Sequence, residues 1–217
     1  LEFRRVIFRS EARNYLAAME ELFKLKSEGK IRHVGITNFD VERLVEMIDA
    51  GLKPASIQLQ YSLLDRRPAT DMTELCIQHG IGILCYGTVA GGFFSEKYLG
   101  KSEPGEAETR SNVKYRLIIE EFGGWSLFQQ LLKVLASIAK NHNTDIGTIA
   151  SAWTLRQPAV KAVIVGARNL SHQKSNLQIP EINFSESELS AIAEVLAQSK
   201  GPTGPVYDLE RYSEKHS

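Results

Sequence analysis

The sequence predicts a parallel α/β fold, and three observations carry that prediction. A strand-then-helix unit recurs four times, with expected strands at 32–37, 55–59, 81–86 and 161–165. Those strands are short, β-branched and mostly apolar, as strands buried on both faces should be. The helical runs between them carry apolar residues at three-and-four spacing, and glycine closes several of them. No strand runs into a G-x-G-x-x-G turn, so the dinucleotide fingerprint of the open doubly wound sheet is missing. Four such units suit an open doubly wound sheet or part of a closed (β/α)8 barrel, which periodicity does not separate, and that absence tilts the reading toward the barrel.

The chain turns on the stretch Gly29 to Asn38, GKIRHVGITN. Before it, Tyr15, Leu16, Met19, Leu22 and Phe23 form one helical stripe, and Gly29 supplies the left-handed residue that ends the helix. Thr37-Asn38 then places two hydrogen-bonding side chains at the carboxyl end of the strand, where folds of this kind keep their chemistry. Asp40 is positioned to cap the next helix, whose stripe is Val41, Leu44, Val45 and Ile48, ending at Gly51. The second strand, 55–59, has Gln58 near its carboxyl end. Arg66-Arg67-Pro68 interrupts, and a helix through Met72, Leu75, Cys76 and His79 is closed by Gly80.

The third strand, IGILCY, runs into Gly87 and the Gly91-Gly92 pair. Residues 87–125 follow, with the charged, glycine-containing centre KSEPGEAETR, and read as a mobile surface loop. Leu127, Leu131, Leu132, Leu135 and Ile138 mark one further helix. Thr144 is the expected cap of another, running to about Gln157. The fourth strand opens onto Gly166-Ala167-Arg168-Asn169 and a helix to about Leu177. Ser185-Glu186-Ser187-Glu188 is a capping box, with Phe184 and Leu189 as its staple. The expected boundaries are an unassigned, basic and apolar segment 1–10, a barrel portion 11–199 and a Gly/Pro-rich tail 200–217. Residues 1–10 contain Val6-Ile7-Phe8, which suits a short strand, but they equally suit sequence foreign to the fold.

Composition narrows the function. The chain has 217 residues, 43% hydrophobic and 24% charged, which is the balance of a globular domain with a real core. Lys+Arg and Asp+Glu stand at 26 each, so no field steers the chain toward nucleic acid or a lipid surface. The apolar runs fall far short of the roughly 20 residues of a membrane helix. Cys76 and Cys85 lie in apolar segments and read as buried, reduced thiols, which suits a cytoplasmic protein. Neither the cysteines nor the histidines have zinc-ligand spacing, so no metal is expected.

Four segments in order, GKIRHVGITNF, SIQLQYSLLDR, ILCYGTVAGG and VIVGARN, closely resemble the aldo-keto reductases from about Tyr15 to about Leu196. That family comprises nicotinamide-dependent carbonyl reductases on an eight-stranded β/α barrel and includes potassium-channel β subunits. The resemblance implies roughly strands 5–8 of the barrel, with their helices and the preceding helix. It implies that Thr37, Asn38 and Gln58 hold the nicotinamide carboxamide and that Tyr86 stacks on the nicotinamide ring. Gly87, Val89 and Gly91 then belong to the loop beside the pyrophosphate. Gly166, Ala167, Arg168 and Asn169 hold the adenosine 2′-phosphate, and Asn176 binds adenine. Taken singly, each residue has a plainer reading: a helix-entry turn, a strand-end amide, a core tyrosine, a solvated arginine. Their joint occurrence favours the cofactor site, with NADP(H) as the cofactor.

Two departures stand out. Gly166 occupies a position where relatives carry a lysine, so phosphate binding rests on Arg168; Ser175 replaces an acidic residue beside Asn176. The resemblance also implies a catalytic tyrosine, lysine, aspartate and histidine on the first four strands, and no residue here matches them. Tyr15 reads as core, and His33 falls at the wrong point of the barrel. The chain is therefore expected to supply most of the cofactor site, with no catalytic residue, for an oxidoreductase acting on small carbonyl compounds. The alternative is a non-catalytic NADP(H)-binding or regulatory protein. A partial barrel also leaves strand edges unpaired, from which self-association is expected.

Overall fold

The computed structural model describes residues 5–8, 14–105, 109–167 and 172–204. Five parallel strands form one sheet in sequential order: β1 Arg5–Phe8, β2 His33–Thr37, β3 Ser56–Gln60, β4 Gly82–Tyr86 and β5 Val160–Val163. Sequential parallel order requires a crossover after each strand, which is the β/α-barrel pattern. The sheet has one strand more than the four expected. Of the two readings of the N-terminal segment the strand holds, with Val6 beside Val34 and Phe8 beside Ile36.

Helix α1, Tyr15–Ser27, joins β1 to β2; α2, Val41–Asp49, leads to β3; and α3, Asp71–His79, leads to β4. Asp40 caps α2 as expected, its carboxylate accepting the Arg43 N–H at 2.9 Å. Gly80 ends α3 at φ 65°, which lets the Ile81 N–H reach back to the Cys76 carbonyl at 2.8 Å.

The crossover from β4 to β5 departs from expectation. It contains α4, Arg110–Phe122, followed by α5, Gly124–Asn141, and α6, Ile146–Leu155. Helix α4 lies within the stretch read as a mobile loop. Thr109 caps it, accepting the Asn112 N–H at 3.1 Å, and Tyr115, Ile118, Ile119 and Phe122 form a buried stripe. Burial of that stripe outweighs the charged residues before it. The cap of α6 is Asp145, not Thr144. Its carboxylate accepts the Thr148 N–H at 2.7 Å, while the Thr144 hydroxyl donates to Gln178 at 2.9 Å.

After β5 come α7, Gln173–Gln178, and α8, Glu186–Leu196. The predicted capping box of α8 is present in both directions. Burial raises the Glu188 pKa, but hydrogen bonds from the Ser185 backbone, His142 and Asn141 outweigh it and hold the carboxyl at about 2.

Two apolar cores divide the molecule. In the first, alternate strand residues (Val34 and Ile36, Ile57 and Leu59, Ile83 and Cys85) pack under α1, α2 and α3. The second lies among α4, α5, α6 and α8, with Phe94, Phe122, Phe128 and Leu132 buried. Trp153 packs against both and meets the Tyr61 ring edge-on at 6.5 Å. Tyr15 is core, as expected, and meets the Phe39 ring edge-on. The other face of the sheet alternates through Gly35, Ser56, Gln58, Gly82, Leu84 and Lys161, smaller and more polar on the whole than the face beneath the helices. Among the described residues, β1 pairs only with β2 and β5 only with β4.

Candidate functional site

The predicted nicotinamide residues come together at the carboxyl ends of β2, β3 and β4. Register puts Thr37 beside Gln58 and Gln60 beside Tyr86. The Gln58 carbonyl accepts twice, from the Asn38 N–H at 2.9 Å and from the Thr37 hydroxyl at 3.2 Å. Asn38 has φ 62°, a left-handed conformation that asparagine tolerates better than most residues. It turns the chain off β2 and aims its amide across the strand ends, where Oδ1 accepts the Tyr86 hydroxyl at 2.9 Å. Thr37, Asn38, Gln58 and Tyr86 are all half-buried. The set offers two amides, a hydroxyl oxygen and an aromatic ring, which is the donor and acceptor chemistry a primary carboxamide on a flat ring requires.

The loop after β4 is held from above by α4. Gly87 has φ 75° and Gly91 φ 62°. A Cβ on Gly87 would strike the Tyr115 hydroxyl, and one on Gly91 would lie 2.6 Å from the Tyr115 ring and 2.8 Å from the Ser111 hydroxyl. The missing side chains thus make room for Tyr115. Gly91 itself remains exposed, and Val89, half-buried, lies beside Gly147 of α6. The Lys114 ammonium sits 5.2 Å from the centroid of the Tyr86 ring and 5.4 Å from that of Tyr115.

Beneath Tyr86 lies a network that sequence reasoning missed. Asp65, fully buried, accepts from Gln60 at 2.7 Å and from the Arg67 guanidinium at 2.8 and 2.7 Å. Burial lowers the Arg67 pKa, but the hydrogen bonds and charge of Asp65, with Glu121 and Tyr86 nearby, raise it further than burial lowers it. Burial pushes the Glu121 carboxyl up, with Arg67 opposing. The signal for this network was the run Asp65-Arg66-Arg67 a few residues beyond β3, of which Arg66-Arg67, with Pro68, reads in sequence only as an interruption. The signal for Tyr115 and Lys114 was the apolar spacing 115-118-119-122.

The predicted adenosine end lies after β5. The Ile164 N–H donates to the Cys85 carbonyl at 2.7 Å, which keeps the chain beside β4 past the end of the strand. Gly166 and Ala167 follow and are exposed, and Asn176 on α7 donates to the Gly166 carbonyl at 3.2 Å. Ser175 is fixed through its backbone, whose carbonyl accepts the Thr148 hydroxyl at 3.4 Å. Arg168 and Asn169 lie outside the described residues.

The remaining chemistry is quiet. Cys76 and Cys85 are free and buried, and burial pushes their thiols up to about 11 and about 12, so both stay protonated. Among the described residues no cluster of three or more His, Cys, Asp or Glu is able to hold a metal ion, and no helix is long and apolar enough to cross a membrane.

Comparison with known proteins agrees with this architecture. Protein tas of Escherichia coli is 28% identical over 185 residues, covering 83% of this chain and 52% of that protein. The NADH-specific methylglyoxal reductase of Escherichia coli is 28% identical over 180 residues, covering 80% of this chain and 51% of its own length. Flagellar radial spoke protein 5 of Chlamydomonas reinhardtii is 34% identical over 130 residues, covering 58% of this chain and 24% of its own. This chain therefore spans about half the length of the two bacterial relatives, and less of the third. Among solved structures, the glycerol dehydrogenase of Gluconobacter oxydans superposes with a TM-score of 0.74 at 20% identity, over 93% of this chain and 60% of that one. An aldo/keto reductase from Klebsiella pneumoniae, solved with NADP and acetate, superposes with a TM-score of 0.63 at 21% identity, over 92% of this chain and 59% of that one. The profile of the aldo/keto reductase family matches residues 5–197, and the chain belongs to that family.

Proposed function

We propose that this chain is the cofactor-binding, carboxyl-terminal half of an NADP(H)-dependent oxidoreductase that reduces aldehydes or ketones. The observation that carries this reading is the Tyr86–Asn38 hydrogen bond at 2.9 Å, with Thr37 bonded to the Gln58 carbonyl beside it. It links side chains at the ends of β2 and β4, across β3, that family resemblance assigns to a single ligand ring.

The bound cofactor supplies the hydride. The residues of this chain bind and orient it. The Asn38 and Gln58 amides and the Thr37 oxygen pair with the carboxamide. The Thr37 proton is already donated to the Gln58 carbonyl, so the hydroxyl oxygen acts here as an acceptor. Tyr86 presents a ring face, and its bond to Asn38 fixes the angle of that ring. Helix α4 packs beside the strand ends through Tyr115, against Gly87 and Gly91. At the other end Arg168 reads the 2′-phosphate as a planar fork, with Gly166, Ala167 and Asn169 around it and Asn176 on adenine. The proton donor to the carbonyl oxygen comes from barrel strands that these residues do not include.

The test is a titration of the purified chain with NADPH, followed by fluorescence of Trp125 and Trp153. Saturable binding, weakened by Arg168→Ala and weaker for NADH, supports the reading. Absence of saturation at millimolar NADPH sinks it. Partnership with a small carbonyl substrate, cytoplasmic residence and self-association along the β1 and β5 edges belong to the same proposal, and light scattering tests the last.

A second reading, a non-catalytic nucleotide-binding subunit, draws on the 34% identity to a protein named for the flagellar radial spoke. NADPH oxidation on a panel of aldehydes separates the two when the in-frame upstream sequence is included. Turnover supports the oxidoreductase, and binding without turnover supports the subunit.

A further inference from the structure

We infer that Lys114 is a discriminating residue of the cofactor site, favouring the reduced, neutral dihydronicotinamide over the oxidised, cationic pyridinium. The inference rests on the assignment of Tyr86 as the ring on which the nicotinamide stacks.

The geometry is specific. Lys114 belongs to α4, whose next residue, Tyr115, is buried against Gly87 and Gly91 at the end of β4. That packing fixes the helix over the strand ends and delivers the Lys114 ammonium to a point 5.2 Å from the Tyr86 centroid and 5.4 Å from the Tyr115 centroid. Both separations are those of a cation attracted to a ring face. On the far side of this cluster, Arg67 is ion-paired with buried Asp65, with Glu121 of the same helix nearby. Lys114 is half-buried, so water screens its charge only in part.

A nicotinamide stacked on Tyr86 meets this charge whichever face it takes. On the face that Lys114 covers, ring and ammonium compete for the same surface, and the displaced ammonium stays beside the ring. On the opposite face, Tyr86 separates them by about the thickness of one more stack, and a like charge at under about 10 Å in a half-buried site still acts. Any cost of displacing the ammonium falls on both forms alike, and in either arrangement the charge adds a penalty for the pyridinium alone. The two cofactor forms carry identical phosphates. The ratio of their affinities therefore cancels any contact of Lys114 with the phosphates and isolates the charge on the ring. Tight binding of the reduced form and easy release of the oxidised form suit a chain that works in the direction of carbonyl reduction.

The experiment measures dissociation constants for NADPH and NADP+ on the full chain and on K114M, K114Q and K114R, at low and at high salt. Methionine and glutamine keep the length of the side chain without its charge, and circular dichroism checks that each variant folds. The expected result is a ratio of NADP+ to NADPH dissociation constants that falls about threefold to tenfold in K114M and K114Q. K114R should keep the original ratio, and high salt should narrow it in the unaltered chain. If both constants change by the same factor, or neither changes, the inference is overturned while the cofactor site stands. If the unaltered chain binds neither form, the cofactor reading itself fails and this inference falls with it.

Discussion

The two ends of the candidate cofactor cleft are built on different principles. Around Tyr86, side chains from three strands and α4 hold one another: Tyr86 on Asn38, Thr37 on the Gln58 carbonyl, Tyr115 against Gly87, Arg67 on Asp65. After β5, Gly166 and Ala167 are exposed, no described residue beyond its chain neighbours lies within 4 Å of where a Gly166 Cβ would be, and an amide from Asn176 bonds the Gly166 carbonyl. On the proposed reading, the difference teaches that the nicotinamide end is held by contacts among the protein's own side chains, and that the described residues of the adenosine end show fewer such contacts. Preorganisation of this kind matters where hydride geometry is set, and less where a phosphate is merely anchored.

The largest expected effect breaks the first region from beneath. Asp65→Ala removes the acceptor of both Gln60 and Arg67 and leaves the guanidinium, 5% exposed, without its ion-pair partner. Breaking a buried pair from one side should cost about 3 kcal/mol, read as a lower urea midpoint with an unchanged slope. Partial compensation by Glu121, whose carboxyl the Arg67 charge already stabilises, would reduce that loss, and the double variant with Glu121→Gln should expose it.

The next prediction sets the two regions side by side with one substitution. Gly87→Ala places a methyl group against the Tyr115 hydroxyl at φ 75° and should cost about 2 kcal/mol, since strain and collision act together. Gly166→Ala meets no described residue beyond its chain neighbours within 4 Å and should change stability by less than about 0.5 kcal/mol. Equal losses in the two variants would erase the distinction between the regions.

How legible this was in the sequence follows the same division. The strand ends read clearly, because periodicity marks the boundaries of short apolar strands well, but Thr37-Asn38, Gln58 and Tyr86 have plainer readings one by one and only family resemblance groups them. The caps at Asp40 and Ser185 read clearly for the same reason. Helix α4 did not, because KSEPGEAETR dominates the composition just before it and hides a stripe whose burial depends on α5, a partner that local reading does not bring near. The Asp65–Arg67 pair was invisible as a pair, since nothing in three adjacent charged residues says which will be buried. The N-terminal strand was ambiguous for want of length, and only its register with β2 decides it.

A subtler test of the first region is Tyr86→Phe. It keeps the ring and the face beneath Lys114 but removes the hydroxyl that donates to Asn38. A half-buried hydrogen bond of this kind should contribute about 1 kcal/mol, and the same loosening should weaken NADPH binding by about threefold to tenfold. Full retention of both would mean that the ring alone orients the ligand.

The smallest effect on the fold belongs to Asn176→Ala, and there the contrast between the regions inverts. Its amide donates to an exposed carbonyl at 3.2 Å, so its loss should leave the unfolding midpoint within about 0.5 kcal/mol of the unaltered chain. If the segment after β5 is a ligand-ordered adenosine site, the same substitution should weaken NADPH binding severalfold, with binding of the nicotinamide mononucleotide half unchanged. Stability and binding would then be separable at one end of the cleft and coupled at the other, where Tyr86→Phe moves both. A loss of stability in Asn176→Ala comparable to that in Tyr86→Phe would place both ends under the same structural control, and the adenosine end would no longer be a site that the cofactor itself completes.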